Sequence, residues 1–234
     1  MRLAKTNISA DVNFESTREF CKDYLTDGAP DVSVRVMKSD IARERDGATG
    51  AFSDMYLETL ALYRKTAEAL AARDVILFHS SAIAAGGDGF LFTAPSGTGK
   101  STHASLWRKL LGAAAVMIND DKPLISCRGG DFTVYGTPWN GKHKLGANIS
   151  APIRGICVLS RGKENEIRRI SPDEALPLLL MQTYRPTDGG ATENVLNDVI
   201  KLSQDVPVYK MKCNMDISAA QTSYDAMKGT KNET

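Results

Sequence analysis

Hydrophobic and polar positions along this chain fall into short blocks whose period changes several times. Near the start, "STREFCKDYL" reads as a helix and "DVSVRVMKS" alternates as a strand does. "SDMYLETLALYRKTAEALAARD" sets Leu57, Leu60, Leu62, Ala67, Leu70 and Ala71 near helical spacing behind Ser53 as N-cap, which predicts a long amphipathic helix. From Val75 the texture changes. "VILFHSSAIAA" and "GFLFTA" are strand-like runs joined by the turn "GGDG", a predicted hairpin. A helix follows from Lys100 or Ser101 through "THASLWRKLL" to Gly112, and "AAAVMI" then reads as a buried strand. "GICVLSRGKENEIRRI" predicts a second hairpin. "SPDEALPLLLMQTY" opens as helices do, with Ser171 as N-cap, Pro172 at the first position and Glu174 three residues after the cap. "ENVLNDVIKLSQ" is a further helix, "VPVYKMKC" a last strand, and the polar end beyond about Lys228 a frayed tail.

Strands alternating with helices place the chain in the α/β class. The expected organisation is an α+β extension over residues 1–74, a core over 75–228 and a tail over 229–234. At 234 residues the chain buries a full core without disulfides or metal. Lys and Arg number 29 against 28 Asp and Glu, so no global field draws the protein to nucleic acid or to an anionic membrane. Any bound anion needs a local site. Cys21, Cys127, Cys157 and Cys213 lie far apart and form no CxxC pair, which fits a reducing compartment. "MRLAKTNISADVNF" has no apolar signal core, and the longest mostly apolar run, "LLGAAAVMI", is too short for a bilayer. A cytoplasmic location is expected.

The local site is in "TAPSGTGKST" (Thr93–Thr102). A glycine-rich turn between strand and helix turns backbone N–H groups inward to cradle phosphate, with the positive helix end behind it. Pro95, Ser96, Gly97, Thr98, Gly99, Lys100, Ser101 and Thr102 are therefore candidate nucleotide contacts. Lys100 is the cation for the outer phosphates, and the Ser101 hydroxyl completes a magnesium shell. Ala94 stands where the common pattern has glycine, at the strand exit rather than in the cradle.

"VMINDDKP" follows one helix and one strand later, which puts Asn119, Asp120 and Asp121 at a strand's carboxyl end beside the loop. Two adjacent carboxylates can divide the work, one on a metal and the other accepting a hydroxyl proton. The alternative is a solvated Asn-Asp-Pro turn. His79 in "FHSSA" is either a hydrogen-bonded core residue or a group near the outer phosphate or metal. His103 and His143 read as neighbours. In "YGTPWNGKHKLG", Lys142 and Lys144 could reach a transferring phosphoryl group, and Trp139 anchors the loop or stacks on a base.

"HSSAIAAGGDGFLFTAPSGTGKST" followed by "INDD" resembles the core shared by phosphoenolpyruvate carboxykinases and HPr kinase/phosphorylases. The resemblance spans roughly Val75 to Asp121, with an echo at Arg154 and Gly155. It implies a P-loop core on a mixed β-sheet flanked by helices. It further implies Lys100 on the outer phosphates, Ser101 and Asp121 on Mg²⁺ or Mn²⁺, Asp120 as base, His79 near the metal or γ-phosphate, and Lys142 as a second cation. No counterpart to the carboxykinases' substrate-binding arginine motif is present, so lyase activity is not expected. The expected function is an ATP-dependent kinase acting on a hydroxyl of a protein, peptide or small metabolite. The alternative is an ATP-binding sensor module with little turnover. The resemblance also leaves room for a homo-oligomer.

Overall fold

Local sequence chemistry decides where the elements start in the computed structural model, which describes residues 1–141 and 143–229. Strands β1 (Arg2–Leu3), β2 (Thr6–Asp11) and β3 (Val32–Arg35) make a small separate sheet, with helix α1 (Glu15–Phe20) between the last two. The alternation expected through Ser39 stops at Arg35. There the Asp40 carboxylate accepts the Met37 N–H at 2.9 Å and opens helix α2 (Lys38–Asp46), which the strand reading did not include. Helix α3 (Asp54–Ala71) starts as expected, with the Ser53 hydroxyl accepting from Tyr56 N–H. Its apolar face joins Leu3 and Ile8 to Val75, Leu77, Leu124 and Trp139 in one buried cluster.

The run "VILFHSSAIAA" divides into β4 (Val75–Leu77) and β5 (Ser81–Ala85), and His79 lies in the break. β5 and β6 (Asp88–Thr93) form the expected hairpin, with Gly86 and Gly87 at positive φ in the turn. Helix α4 (Lys100–Leu111) ends at Gly112 (φ 58). β7 (Ala115–Asn119) pairs antiparallel with β5 on the outside of the sheet. The strand is therefore not buried throughout, since Val116 is 44% exposed at this edge.

β8 (Leu124–Ser126) and β9 (Thr133–Tyr135) lead to β10 (Ser150–Arg161), a long strand with three partners: β6, β9 and a later strand. Its first residues pair with β9, and Ile156–Arg161 pair in parallel with β12 (Val208–Cys213). β11 (Glu166–Arg169) pairs with β12 and not with β10, so the expected second hairpin is opened by a strand inserted from 40 residues later. Helix α5 (Pro172–Leu180) begins on its Ser171 cap. Helix α6 (Gly189–Asp205) begins four residues before the expected Glu193 because Asp188 caps it. Helix α7 (Ile217–Lys228), absent from the periodicity reading, packs a face of small residues, Ala219, Ala220 and Ser223. The expected tail, apart from Gly229, lies outside the described residues.

The large sheet runs β4-β8-β9-β10-β6-β5-β7, with β12 and β11 branching from β10. It is mixed, because β6, β10 and β12 are parallel while β5, β9 and β11 run against their neighbours. Leu179, Val199 and Leu202 of α5 and α6 pack in one core with Ile118, Ile125 and Ile156. Trp107 of α4 and Met227 of α7 belong to another, with Phe90 and Phe92. The result is a mixed α/β fold. Among the described residues no helix is long and apolar enough to cross a membrane.

Candidate functional site

β5 runs antiparallel to both β6 and β7, so its amino end meets their carboxyl ends at one edge of the sheet. Three segments distant in sequence therefore converge: His79–Ser81, the glycine-rich loop after β6, and Asn119–Asp121 after β7. The Thr93 hydroxyl donates to His79 O at 2.8 Å, and Ser80 N–H donates to Asp121 O at 3.2 Å. These bonds tie the three segments together.

The loop leaves β6 through Ala94, which is 1% exposed. Positive φ among the described non-glycine residues is confined to Ala4, Lys5, Asp74 and Lys144, so alanine here costs no strain. Gly97 (φ 78) and Gly99 (φ 124) do need glycine, although a Cβ at either would have open space around it. The constraint is backbone angle and not volume, about 1–3 kcal/mol for any other residue. Gly99 leads straight into α4, whose first turn carries no acidic residue to offset the positive helix end. Lys100 is 8% exposed, and its ammonium donates to Ala94 O at 2.9 Å. Burial lowers its pKa, opposed by Asp121 and Asp120.

Asn119 shapes the acidic pair. Its Oδ1 accepts the N–H groups of Asp121 (2.8 Å) and Lys122 (2.7 Å), while its Nδ2 donates to the Thr137 carbonyl and hydroxyl. Asp120 is 5% exposed, with Oδ1 accepting the Ser81 hydroxyl at 2.8 Å. The loop crosses close by, since a Cβ on Gly141 would lie 3.0 Å from Asp120 Oδ2. Asp121 is more open, and its Oδ1 lies 3.4 Å from His79 Nε2. Burial works to raise its pKa, but His79, Lys122 and Lys100 hold the carboxyl below its ordinary value.

These groups line a cavity of about 860 Å³ that takes in His79, Lys100, Ser101, Asp120 and Asp121. Ser96, Gly97, Gly99 and Thr102 also face it, as do His143 and Lys144. Pro95 does not, and its carbonyl instead accepts the Thr98 N–H within the loop. Lys142 lies outside the described residues. His103 turns into the core beside Ser223, where burial pulls its pKa down to about 4. Trp139 is an anchor: it is 5% exposed and its indole N–H donates to Thr59 O at 2.8 Å.

The sequence did not single out Ser81, Arg161 or the aromatic wall. Ser81 follows His79 by two residues, so the same strand-end argument could have found it. Arg161 belongs to no motif, yet its Nη2 donates to Gly97 O at 2.6 Å and braces the loop. Phe20 and Tyr56 reach the cavity from α1 and α3, a contact only tertiary packing reveals.

The model of the family described as SynChlorMet cassette protein ScmC matches residues 51–219, a span that contains the loop, both aspartates and His79. No curated protein matches the sequence. Among solved structures, an HPr(Ser) kinase/phosphatase from Coxiella burnetii is similar at 10% identity and a TM-score of 0.38, over 65% of this chain and 93% of that one.

Proposed function

The chain belongs to the SynChlorMet cassette protein ScmC family, and we propose that it is an ATP- and magnesium-dependent kinase that moves the γ-phosphate to a hydroxyl. The acceptor is a protein, a peptide or a small metabolite. One observation carries the reading: a buried lysine at a helix amino end, two consecutive carboxylates and a histidine share one cavity. A site that only held nucleotide would have no use for the second carboxylate.

In this reading residues 75–228 are a P-loop kinase core and residues 1–74 an extension that walls the acceptor side with Phe20, Tyr56 and Leu60. The loop N–H groups and the amino end of α4 take the phosphates, and Lys100 carries charge to the outer ones. Among the described residues no group of three or more His, Cys, Asp or Glu could hold a metal ion. Ser101 and Asp121 offer two oxygens, which fits a magnesium that draws its other ligands from phosphate and water. Bound there, magnesium or manganese would neutralise charge on the phosphate oxygens. Lys122, 3.9 Å from Asp121, and His79 keep that carboxylate ionised. With Oδ1 held by Ser81, Asp120 presents Oδ2 to take the acceptor proton.

The 5% exposure of Asp120 favours one other reading, in which it is a structural carboxylate of an ATP-binding sensor. Incubation with γ-labelled ATP, Mg²⁺ and host extract, split into macromolecular and small-molecule fractions, separates the two. Kinase activity puts label into one fraction. A sensor binds ATP and labels neither.

A further inference from the structure

A second cavity, of about 500 Å³, opens on the other side of the glycine-rich loop. Gly97, Gly99 and Thr102 border both cavities, so the two flank the same loop. Their characters differ. The first carries the charged groups, whereas the second is walled by Leu106 of α4, Leu159 of β10, and Cys213 and Met215 at the end of β12. Its size suits a compact organic ligand, and its apolar walls suit a flat aromatic one.

Apart from the loop residues Thr98 and Thr102, the polar side chains along these walls already have partners. The Ser160 hydroxyl donates to Met211 O, and the Cys213 thiol donates to Ser160 O. The Asn214 amide donates to Lys163 O and accepts from Asp216 N–H. Arg161 donates from Nη2 to Gly97 O and from Nε to Thr98 O. His103 also borders the cavity, but its unpartnered Nδ1 is closed off from solvent.

From this we infer that the second cavity takes the base and sugar of the nucleoside triphosphate whose phosphates lie across the loop, and that it grips the base by its faces with little reading of its edge. The inference rests on the proposed nucleotide site and adds two things to it: where the nucleoside goes, and a tolerance of both adenine and guanine.

Calorimetry on the full chain compares Mg·ATP, Mg·GTP and Mg·tripolyphosphate, for the wild type and for Leu106→Trp, which fills the cavity away from the charged groups. The wild type should bind ATP at least about tenfold more tightly than tripolyphosphate, with GTP within about tenfold of ATP. Leu106→Trp should bring ATP down to the affinity of tripolyphosphate and leave tripolyphosphate itself unchanged. ATP binding no tighter than tripolyphosphate in the wild type overturns the nucleoside site while the phosphate loop stands. A preference between ATP and GTP above about a hundredfold overturns the face-only grip. If no ligand binds, the phosphate loop fails and this inference with it. Should Leu106→Trp also lose tripolyphosphate, wild-type Cys213 decides, because Cys21, Cys127 and Cys157 are buried. Its alkylation, followed by peptide mass, should slow under ATP and GTP but not under tripolyphosphate. Equal rates under all three overturn the inference.

Discussion

The Lys100 ammonium is buried with one carbonyl, Ala94 O, as its hydrogen-bond acceptor, and neither aspartate is in ion-pair contact with it. A cation kept this close to two carboxylates and yet unpaired suits an anion that arrives from outside. That reading needed only the sequence, because the spacing from glycine to lysine to serine carries the geometry. For Ser81 the strand-end argument reaches the residue but not its role, which lies in a hydrogen bond to a residue 39 positions away. Asp198 of α6 shows the opposite economy. It is 3% exposed, its Oδ2 has no partner, and burial, with Asp74 adding to it, lifts its pKa to about 6. The folded state thus favours the protonated carboxyl. The penalty is absent below about pH 4, grows as pH rises and is complete above about pH 6, on the order of 3 kcal/mol. Asp198→Asn should therefore gain stability relative to the wild type as pH rises from 4 to 7, measured by denaturant midpoints at each pH. A constant difference across that range would show that Asp198 is not the titrating group.

Elements with local signals were legible, and those defined by distant partners were not. The β5–β6 hairpin announces itself through its glycine turn, and α4 through the loop that opens it. The partner that separates β11 from β10 lies 40 residues further on, where no local pattern points to it. α7 escaped because its buried face is mostly alanine and serine, with Met227 as its single large apolar side chain. α1, which the sequence did predict, has no side-chain cap of its own. Glu58 of α3 caps it from outside, accepting the N–H groups of Asn13 (2.6 Å) and Phe14 (3.1 Å) and the Thr17 hydroxyl (2.5 Å). Burial works to raise its pKa, but these donors hold the carboxyl below its ordinary value. Its contribution is therefore present above the unfolded carboxylate range and lost as pH falls through the folded value. Glu58→Gln turns an amide donor towards other donors, and should cost about 2–3 kcal/mol in urea unfolding at pH 7. A loss under about 0.5 kcal/mol would mean that α1 is held by its apolar contacts instead.

Across the whole molecule, one antiparallel strand does the organising. With β5 antiparallel between β6 and β7, its amino end, which a parallel strand would leave at the far edge, meets their carboxyl ends, and His79 joins Lys100, Asp120 and Asp121. The sequence supplied the residues; the order of the strands supplied their meeting. The central claim is that this meeting point transfers phosphate and does not only bind it. The direct test measures γ-label transfer and Mg·ATP affinity side by side for the wild type and Asp120→Asn. The account predicts transfer slower by about 10²–10⁴-fold in the variant, with affinity within about threefold. Equal transfer in the two proteins would contradict it.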